Sequence, residues 1–256
     1  MTCVQDVYDY FDALAPFSSA EAWDNAGLLL GDPAREVRRV LVCLDLTGEA
    51  ADMAVREKAD LVLTHHPVIF RPLRAVTPAE PWYPLLAAGT AVISMHTNLD
   101  VAPFGVNDAL REALGLVPEE AGEGVSRFLL FGRCEAMRAE EFALASAERI
   151  RARGLRCEPR LTGRGDERVG RVAVCGGAGG EFWAEAKRAG AELLVTGEAK
   201  YHELVDAYNA GMPVMLLGHW LSEQFVLERM EEKVRALDGG FATTAYRGDI
   251  SVLGNA

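Results

Sequence analysis

The feature that most constrains the fold of this chain is an internal duplication. The segment RVLVCLDLTGEAADMAVREKADLVLT, which begins at Arg39, aligns without a gap on RVAVCGGAGGEFWAEAKRAGAELLVT, which begins at Arg171, at an offset of 132 residues. The identical pairs include Val40 with Val172, Cys43 with Cys175, Gly48 with Gly180, Glu49 with Glu181, Arg56 with Arg188 and Thr64 with Thr196. Composition alone would not preserve such different residues in one register. The sequence therefore predicts two similar halves.

Short apolar runs separated by helical patterns predict a sheet with helices on both faces. Val4, Val7, Tyr8, Phe11 and Leu14 recur at helical spacing, and a proline follows them. The predicted strands of the first half are Val40–Leu44, Leu61–Thr64 and Ala91–Met95, and the predicted helices are Glu49–Lys58, Pro84–Ala88 and Val106–Leu114. This alternation indicates an α/β fold with mainly parallel sheets.

The duplication also suggests how the chain is divided. We predict a first α/β lobe over residues 1–125, a connecting segment over 126–165 and a second, pseudo-symmetric lobe over 166–256. The connecting segment contains a predicted strand at Phe128–Phe131 and a predicted helix at Ala139–Arg153. The Arg- and Gly-rich stretch RLTGRGDERVG is interpreted as its exit loop or linker.

Charge and cysteine usage exclude several classes of function. A formal net charge of −12 argues against the broad basic surface that nucleic acids require. No apolar run approaches the roughly 20 residues of a membrane span, and the first residues lack the basic start of a secretory signal. The five cysteines form no CxxC pair and are interpreted as reduced thiols: Cys3, Cys43, Cys134, Cys157 and Cys175. We expect a cytoplasmic protein.

Polar side chains follow the predicted strands at their carboxyl ends. His65 and His66 follow LVLT, His96 follows AVISM, His219 follows MPVMLLG, and Asp45 ends VLVCL. In open parallel sheets, functional groups gather beyond these strand ends. Because the backbone is expected to bend at the next proline, the two adjacent imidazoles can reach two different metal ions.

The duplication repeats a potential ligand pair. AAGTAVISMHTNLD lies against NAGMPVMLLGHWLSE, so that His96 corresponds to His219 and Asp100 to Glu223. Imidazole and carboxylate donors without thiolate suit Zn, Mn, Fe, Co or Ni. Taken alone, His219 and Glu223 could be a salt bridge on one helical face. Their repetition, beside a strand that ends in two histidines, favours a two-metal site.

Other signals are less specific. His96 and His202 could lie behind the ligands, contact a substrate or have no role. The Gly-rich stretch CGGAGGEF favours a tight strand-to-helix turn over a phosphate-binding loop, since it lacks GK[ST] and GxGxxG spacing. Trp23, Asp24 and Asn25 form a polar turn that could line the site or cap the strand that follows.

Six motifs occur in an order that resembles one family. They are WDNAGLLLGDP, LTHHPVIF, SMHTNLD followed by GVND, CGGAGG, TGEAKYHE and GHWLSE. The chain resembles the GTP cyclohydrolase 1 type 2 homologues, also called Nif-three-like dinuclear-metal proteins, over nearly its whole length. It is similar to the short form, because only the connecting segment lies between the halves. One departure is TGEAKYHE, where the family often has Asp in place of Glu198.

The resemblance implies a ligand set, a fold and an assembly. The family's metal ligands match five residues here: His65, His66, Asp100, His219 and Glu223. The fold would consist of two similar α/β lobes with the dimetal site in the cleft between them. Relatives often assemble as toroidal homohexamers.

The resemblance and the residues together suggest a metal-dependent hydrolase that acts on a nucleotide or a similar small molecule. Two divalent ions could activate water at neutral pH, and Glu198, His96 or His202 could move protons. For Glu198 the alternative is a salt bridge with Lys200 or Lys187. A non-catalytic metal-handling or metal-delivery protein is the main alternative function. A scaffold whose metals only join the lobes is the third.

Overall fold

The computed structural model describes residues 2–237 and 240–248 of the chain. The described strands are β1 (Gly27–Leu30), β2 (Arg39–Cys43), β3 (Leu61–Thr64), β4 (Ala91–Ser94), β5 (Val117–Glu119), β6 (Leu130–Arg138), β7 (Arg160–Thr162), β8 (Arg168–Cys175), β9 (Leu193–Thr196), β10 (Val214–Leu216) and β11 (Ala242–Tyr246). The described α-helices are α1 (Val4–Leu14), α2 (Gly48–Arg56), α3 (Tyr83–Ala88), α4 (Thr97–Asp100), α5 (Val106–Ala113), α6 (Ala139–Ala152), α7 (Trp183–Arg188), α8 (Tyr201–Asn209), α9 (His219–Glu223) and α10 (Val226–Ala236).

The described chain forms two compact units. Residues 2–102 and the described part of 227–248 form the first unit, and residues 103–226 form the second. These bounds differ from those of the predicted lobes. The C-terminal strand β11 pairs with β2 in parallel and therefore lies in the first unit. The connecting segment contributes β6, which pairs with β8 and therefore lies within the second unit.

The sheet of the first unit has the strand order β1-β4-β3-β2-β11. Its neighbours pair in parallel, except that β1 runs antiparallel to β4. Helices α2 and α3 pack against one face over a core that includes Leu41, Val62, Trp82 and Leu85. This unit agrees with the predicted, mainly parallel arrangement.

The sheet of the second unit has the order β5-β6-β8-β9-β10-β7 and is mixed. Strands β8, β9 and β10 are parallel, whereas β5, β6 and β7 each pair antiparallel with a neighbour. The prediction of mainly parallel sheets therefore applies to the first unit and only to the centre of the second. The stretch RLTGRGDERVG, interpreted from the sequence as an exit loop or linker, instead contains β7 and the start of β8. Thr162 of β7 pairs with Val214 of β10 at the edge of the sheet.

The duplication is visible in the strand register. Val40 pairs with Leu61 in the first sheet, and Val172 pairs with Leu193 in the second, at the same offset of 132 residues. The equivalent carboxylates Asp60 and Glu192 each accept hydrogen bonds from two consecutive backbone N–H groups, at the start of β2 for Asp60 and within β8 for Glu192. The two halves thus share backbone pairing as well as sequence.

Local sequence explains where the first helices form. In α1 the side chains of Val4, Val7 and Phe11 are buried at helical spacing, as predicted. Helix α2 begins after Thr47, whose hydroxyl accepts the N–H of Ala50 and so caps the helix.

The five cysteines lie within the described residues and form no disulfide bond there. Cys43 and Cys175 are buried in strands, and burial raises the pKa of the Cys43 thiol. Both therefore act as small apolar residues. Within residues 2–237 and 240–248, no helix is both long enough and apolar enough to span a bilayer.

Candidate metal centre

Two histidines of the first unit follow β3 where the strand leaves the sheet. His65 and His66 continue the parallel ladder, since their N–H groups donate to the carbonyls of Cys43 and Leu44 at 3.2 and 3.0 Å. The hydroxyl of Thr64 donates to the carbonyl of His66 at 2.8 Å and holds the bend that follows the strand. The side chain of His65 is fully buried, and that of His66 is 24% exposed.

The next strand places a third histidine beside them. His96 precedes α4, and its N–H donates to the side chain of Asn98 at 3.0 Å. Asn98 in turn donates to the carbonyl of Ala15 at 2.7 Å, so a buried amide fixes the junction between strand and helix. At the end of α4, Oδ1 of Asp100 lies 3.6 Å from Nε2 of His65.

The three imidazoles of the first unit form a compact cluster. Ring centroids are 4.7 Å apart for His65 and His66, and His96 lies 5.3 and 5.7 Å from them. One ring nitrogen of each lies within 4.8 Å of the other two, a separation suitable for a shared metal ion. The ends of β3 and β4 thus bring His65 and His66 together with His96, the histidine of the repeated motif.

Each of these rings is oriented by an acceptor at Nδ1. His65 donates from Nδ1 to the carbonyl of Met95 at 2.9 Å, His66 donates to Asp45 at 2.7 Å, and His96 donates to Asp24 at 2.8 Å. Carbonyl and carboxylate oxygens can only accept, so Nδ1 carries the hydrogen in all three rings. In the neutral ring the lone pair is therefore at Nε2. This is the arrangement that metal-binding histidines adopt with a carboxylate or carbonyl behind them.

Asp24 connects the N-terminal turn to α4. Its carboxylate accepts hydrogen bonds from Nδ1 of His96, from the backbone N–H of Thr97 and from the Thr97 hydroxyl. Burial alone would raise the pKa of Asp24, but the hydrogen bonds from His96 and Thr97 outweigh it and hold the pKa well below its usual value. Asp24 thus remains a carboxylate that orients His96.

The second unit carries a smaller group of potential ligands on α9. Nε2 of His219 lies 3.3 Å from a carboxylate oxygen of Glu223, and its Nδ1 lies 3.4 Å from Glu198. The Glu223 side chain is 5% exposed, whereas Glu198 is 59% exposed. The proposed salt-bridge partners of Glu198 are engaged elsewhere. Lys200 pairs with Glu203, and Lys187 donates to the carbonyl of Ala210.

Glycines let the backbone approach this second group closely. A Cβ on Gly197 would lie 2.6 Å from the carbonyl oxygen of Gly177 and 2.9 Å from Cα of His219. Gly177 has a φ of +61°, a backbone conformation that favours glycine. The Gly-rich stretch therefore forms a tight turn that packs against α9, as the sequence favoured.

Comparison with known proteins identifies the family. The family model for Duf34/NIF3 (NGG1p interacting factor 3) matches residues 2–247. The chain belongs to the Duf34/NIF3 family. A Clostridium perfringens relative, named GTP cyclohydrolase 1 type 2 homolog, is 30% identical over 91% of each chain. A Streptomyces coelicolor relative of the same name is 34% identical over 87% of this chain and 82% of its own.

Solved structures show the same fold. A Bacillus cereus protein described as related to NIF3 superposes with a TM-score of 0.84 at 23% identity, over 100% of this chain and 99% of its own. The fold of this Duf34/NIF3 member is thus shared with crystal structures across the whole length of the chain.

The predicted site residues of this Duf34/NIF3 protein fall into two groups. His65, His66 and Asp100 lie together in the first unit with His96, and His219 and Glu223 lie together in the second with Glu198. His202 lies exposed on α8 and belongs to neither set of contacts described above. The sequence left the role of Asp24 open. Only the fold reveals that Asp24 contacts His96, the residue that precedes α4.

The donor atoms of the first unit fit a divalent metal ion. The imidazoles of His65 and His66 and the nearby Asp100 carboxylate are donor types that Zn, Mn, Fe, Co and Ni accept in proteins, and the His96 ring lies beside them. The orientation of each ring by a hydrogen bond at Nδ1 supports this fit. The donor set favours no single metal among the five.

Proposed function

We propose that this protein binds two divalent metal ions through His65, His66, Asp100, His219 and Glu223. We propose further that it uses them to hydrolyse a nucleotide or a similar small molecule. The observation that carries the proposal is the adjacent pair of imidazoles, His65 and His66, each oriented from behind by an acceptor, with the Asp100 carboxylate 3.6 Å from His65. The name that these relatives share, GTP cyclohydrolase 1 type 2 homolog, supports the substrate class.

The residues around the ligands can move protons. Two bound cations supply Lewis-acid chemistry and increase the acidity of water. His96 can accept a proton at Nε2, because its Nδ1 already donates its hydrogen to the Asp24 carboxylate behind it. Glu198 holds Nδ1 of His219 at ion-pair distance and is our second candidate for proton transfer.

Metal content tests the ligand assignment. Asp100→Asn is expected to reduce the metal bound per chain more than His96→Asn does, since the first variant removes a ligand and the second a neighbouring base. Inductively coupled plasma mass spectrometry of the purified proteins measures this. Loss of metal in His96→Asn alone would show that ligand and base are assigned in reverse.

Metal removal tests whether the ions belong to the folded state. A ligand that binds only the folded chain stabilises it by about 2.7 kcal/mol at a hundredfold excess over its Kd. Chelation should therefore lower the Tm in differential scanning calorimetry, and added metal should restore it. An unchanged Tm would contradict tight binding to the native state.

A nucleotide screen separates hydrolysis from metal handling. We expect turnover of at least one nucleotide by the metal-loaded protein, and we expect His96→Asn to abolish it while metal remains bound. Rapid metal release to a chelator, with no turnover in any assay, would favour the metal-delivery function. Light scattering of the same samples tests the homohexamer that the resemblance implies.

A further inference from the structure

Two exposed aromatic rings lie beside the imidazole cluster of the first unit. Trp23 is 60% exposed and Phe70 is 47% exposed, although large aromatic side chains are usually buried. Their rings meet edge to face with centroids 6.1 Å apart. Both also contact the ring of His96, at 6.1 and 6.3 Å. The pair is therefore continuous with the candidate metal centre.

The turn that carries Trp23 is held on both sides. Before it, the N–H of Glu21 donates to the Thr97 hydroxyl at 2.9 Å. After it, the Asp24 carboxylate accepts hydrogen bonds from Thr97 and His96. These contacts anchor the turn on both sides of Trp23 and leave its indole ring exposed.

A second contact joins this turn to the segment that carries Phe70. The side-chain amide of Asn25 donates to the carbonyl of Ile69 at 2.5 Å. Residues 67–82 form no helix or strand, and irregular segments of this length in compact domains are often functional. Two loops that are distant in sequence are therefore tied together where their aromatic rings meet.

We propose that Trp23 and Phe70 form a stacking platform for a planar heteroaromatic ring of the substrate. The inference rests on the proposed function and narrows the substrate to molecules such as nucleosides and nucleotides. A preorganised, exposed indole offers a π-face to any base, and the adjacent His96 offers a polar edge. Arg71 and Arg74 lie exposed on the same segment. In a chain of net charge −12 they add local positive charge that suits a phosphate.

Binding of guanosine, guanosine monophosphate and ribose 5-phosphate to the metal-loaded full-length protein tests the platform. Loss of one stacked base contact corresponds to about 5- to 150-fold weaker binding. We expect this loss for guanosine in Trp23→Ala and Phe70→Ala by isothermal titration calorimetry. Trp23→Phe should retain most of the affinity, and ribose 5-phosphate should bind all variants equally. Leu144→Ala is the matched control, since Leu144 is also an exposed apolar residue, at 63%, but lies on α6.

Several results would overturn the platform. Unchanged guanosine affinity in Trp23→Ala would do so, as would an equal loss in Leu144→Ala. If Trp23→Ala changed the oligomeric state and left guanosine binding unchanged, the aromatic pair would instead belong to an interface between copies of this chain.

Metal content separates failure of this inference from failure of the proposed function. Trp23→Ala should keep the metal content of the unaltered protein, because no metal donor is removed. If the unaltered protein binds no metal, the proposed function fails, and guanosine binding still reports on the platform.

Discussion

The two duplicated halves share a backbone but differ at the end of their second strand. Strands β2 and β3 pair in the same register as β8 and β9. At the same offset, His65 and His66 of the first half correspond to Gly197 and Glu198 of the second. Equivalent strand ends thus carry two imidazoles in one half, and a glycine followed by an exposed carboxylate in the other.

Packing explains why the second half has no ring at this position. The His65 ring is buried and donates to the carbonyl of Met95. At Gly197 even a Cβ would meet the backbone of Gly177 and His219. The strand end therefore carries two imidazoles in the first half, whereas in the second half the glycine lets α9 approach the strand end. Duplication preserved the sheet, while the residues that follow the strands diverged.

The largest expected difference concerns equivalent positions 66 and 198. His66→Ala should weaken metal binding more than the 10- to 100-fold that is typical when only a partner behind a ligand is lost. Glu198→Gln should retain both metals and lose activity, because the amide cannot accept a proton. Competition with a chromogenic chelator measures the affinities. If Glu198→Gln lost as much metal affinity as His66→Ala, the proposed difference between the two positions, a ligand at 66 and a proton acceptor at 198, would be contradicted.

A second difference concerns the equivalent glycines 48 and 180. A Cβ on Gly180 would lie 2.5 Å from Cα of Ala199, whereas a Cβ on Gly48 would meet nothing within 4 Å. Gly180→Ala should therefore lower the free energy of unfolding by about 1–3 kcal/mol through overpacking. Gly48→Ala, the matched control at the start of α2, should be neutral or slightly stabilising. Urea denaturation compares them, and equal midpoints would mean that the tight turn of the second half relaxes without penalty.

The smallest expected difference lies in the turn before each second strand. Lys58 has a φ of 56° and is the non-glycine residue with positive φ in the described chain, and its equivalent Gly190 has a φ of 86°. Lys58→Gly should raise the free energy of unfolding by about 0.5–1 kcal/mol, since left-handed backbone strains a residue with a Cβ. Gly190→Ala should lower it by a similar amount. Lys58→Ala controls for the lost charge, and a gain in that variant equal to the gain in Lys58→Gly would rule out backbone strain as the cause.

Much of the fold could be predicted because its signals are local. The apolar runs at β3 and β4 and the helical spacing of α1 match the observed elements closely. The duplication also predicted that Val172 would pair as Val40 does. The C-terminal strand β11 was not predicted, since nothing nearby in the sequence indicates that it pairs with β2.

The candidate site was predictable where residues follow strands and unpredictable where loops meet. His65, His66 and Asp100 were predicted as ligands from strand ends and from the repeated motif, and the structure brings them together. The contact of Asp24 with His96 joins segments 72 residues apart, and no periodicity encodes such a contact. The edge-to-face meeting of Trp23 with Phe70 likewise depends on how two irregular loops fold over the sheet.

The hydrogen bonds at Nδ1 of His65 and His66 have a consequence for metal selection. Rings that are already oriented need little rearrangement when an ion arrives, so binding is expected to be fast and to follow each ion's intrinsic affinity for nitrogen and oxygen donors. That affinity rises from manganese to copper along the first transition series. The ion found in the protein would then reflect both this order of affinities and the supply of metals in the cell that makes it, and the same chain purified from different growth media would carry different ions.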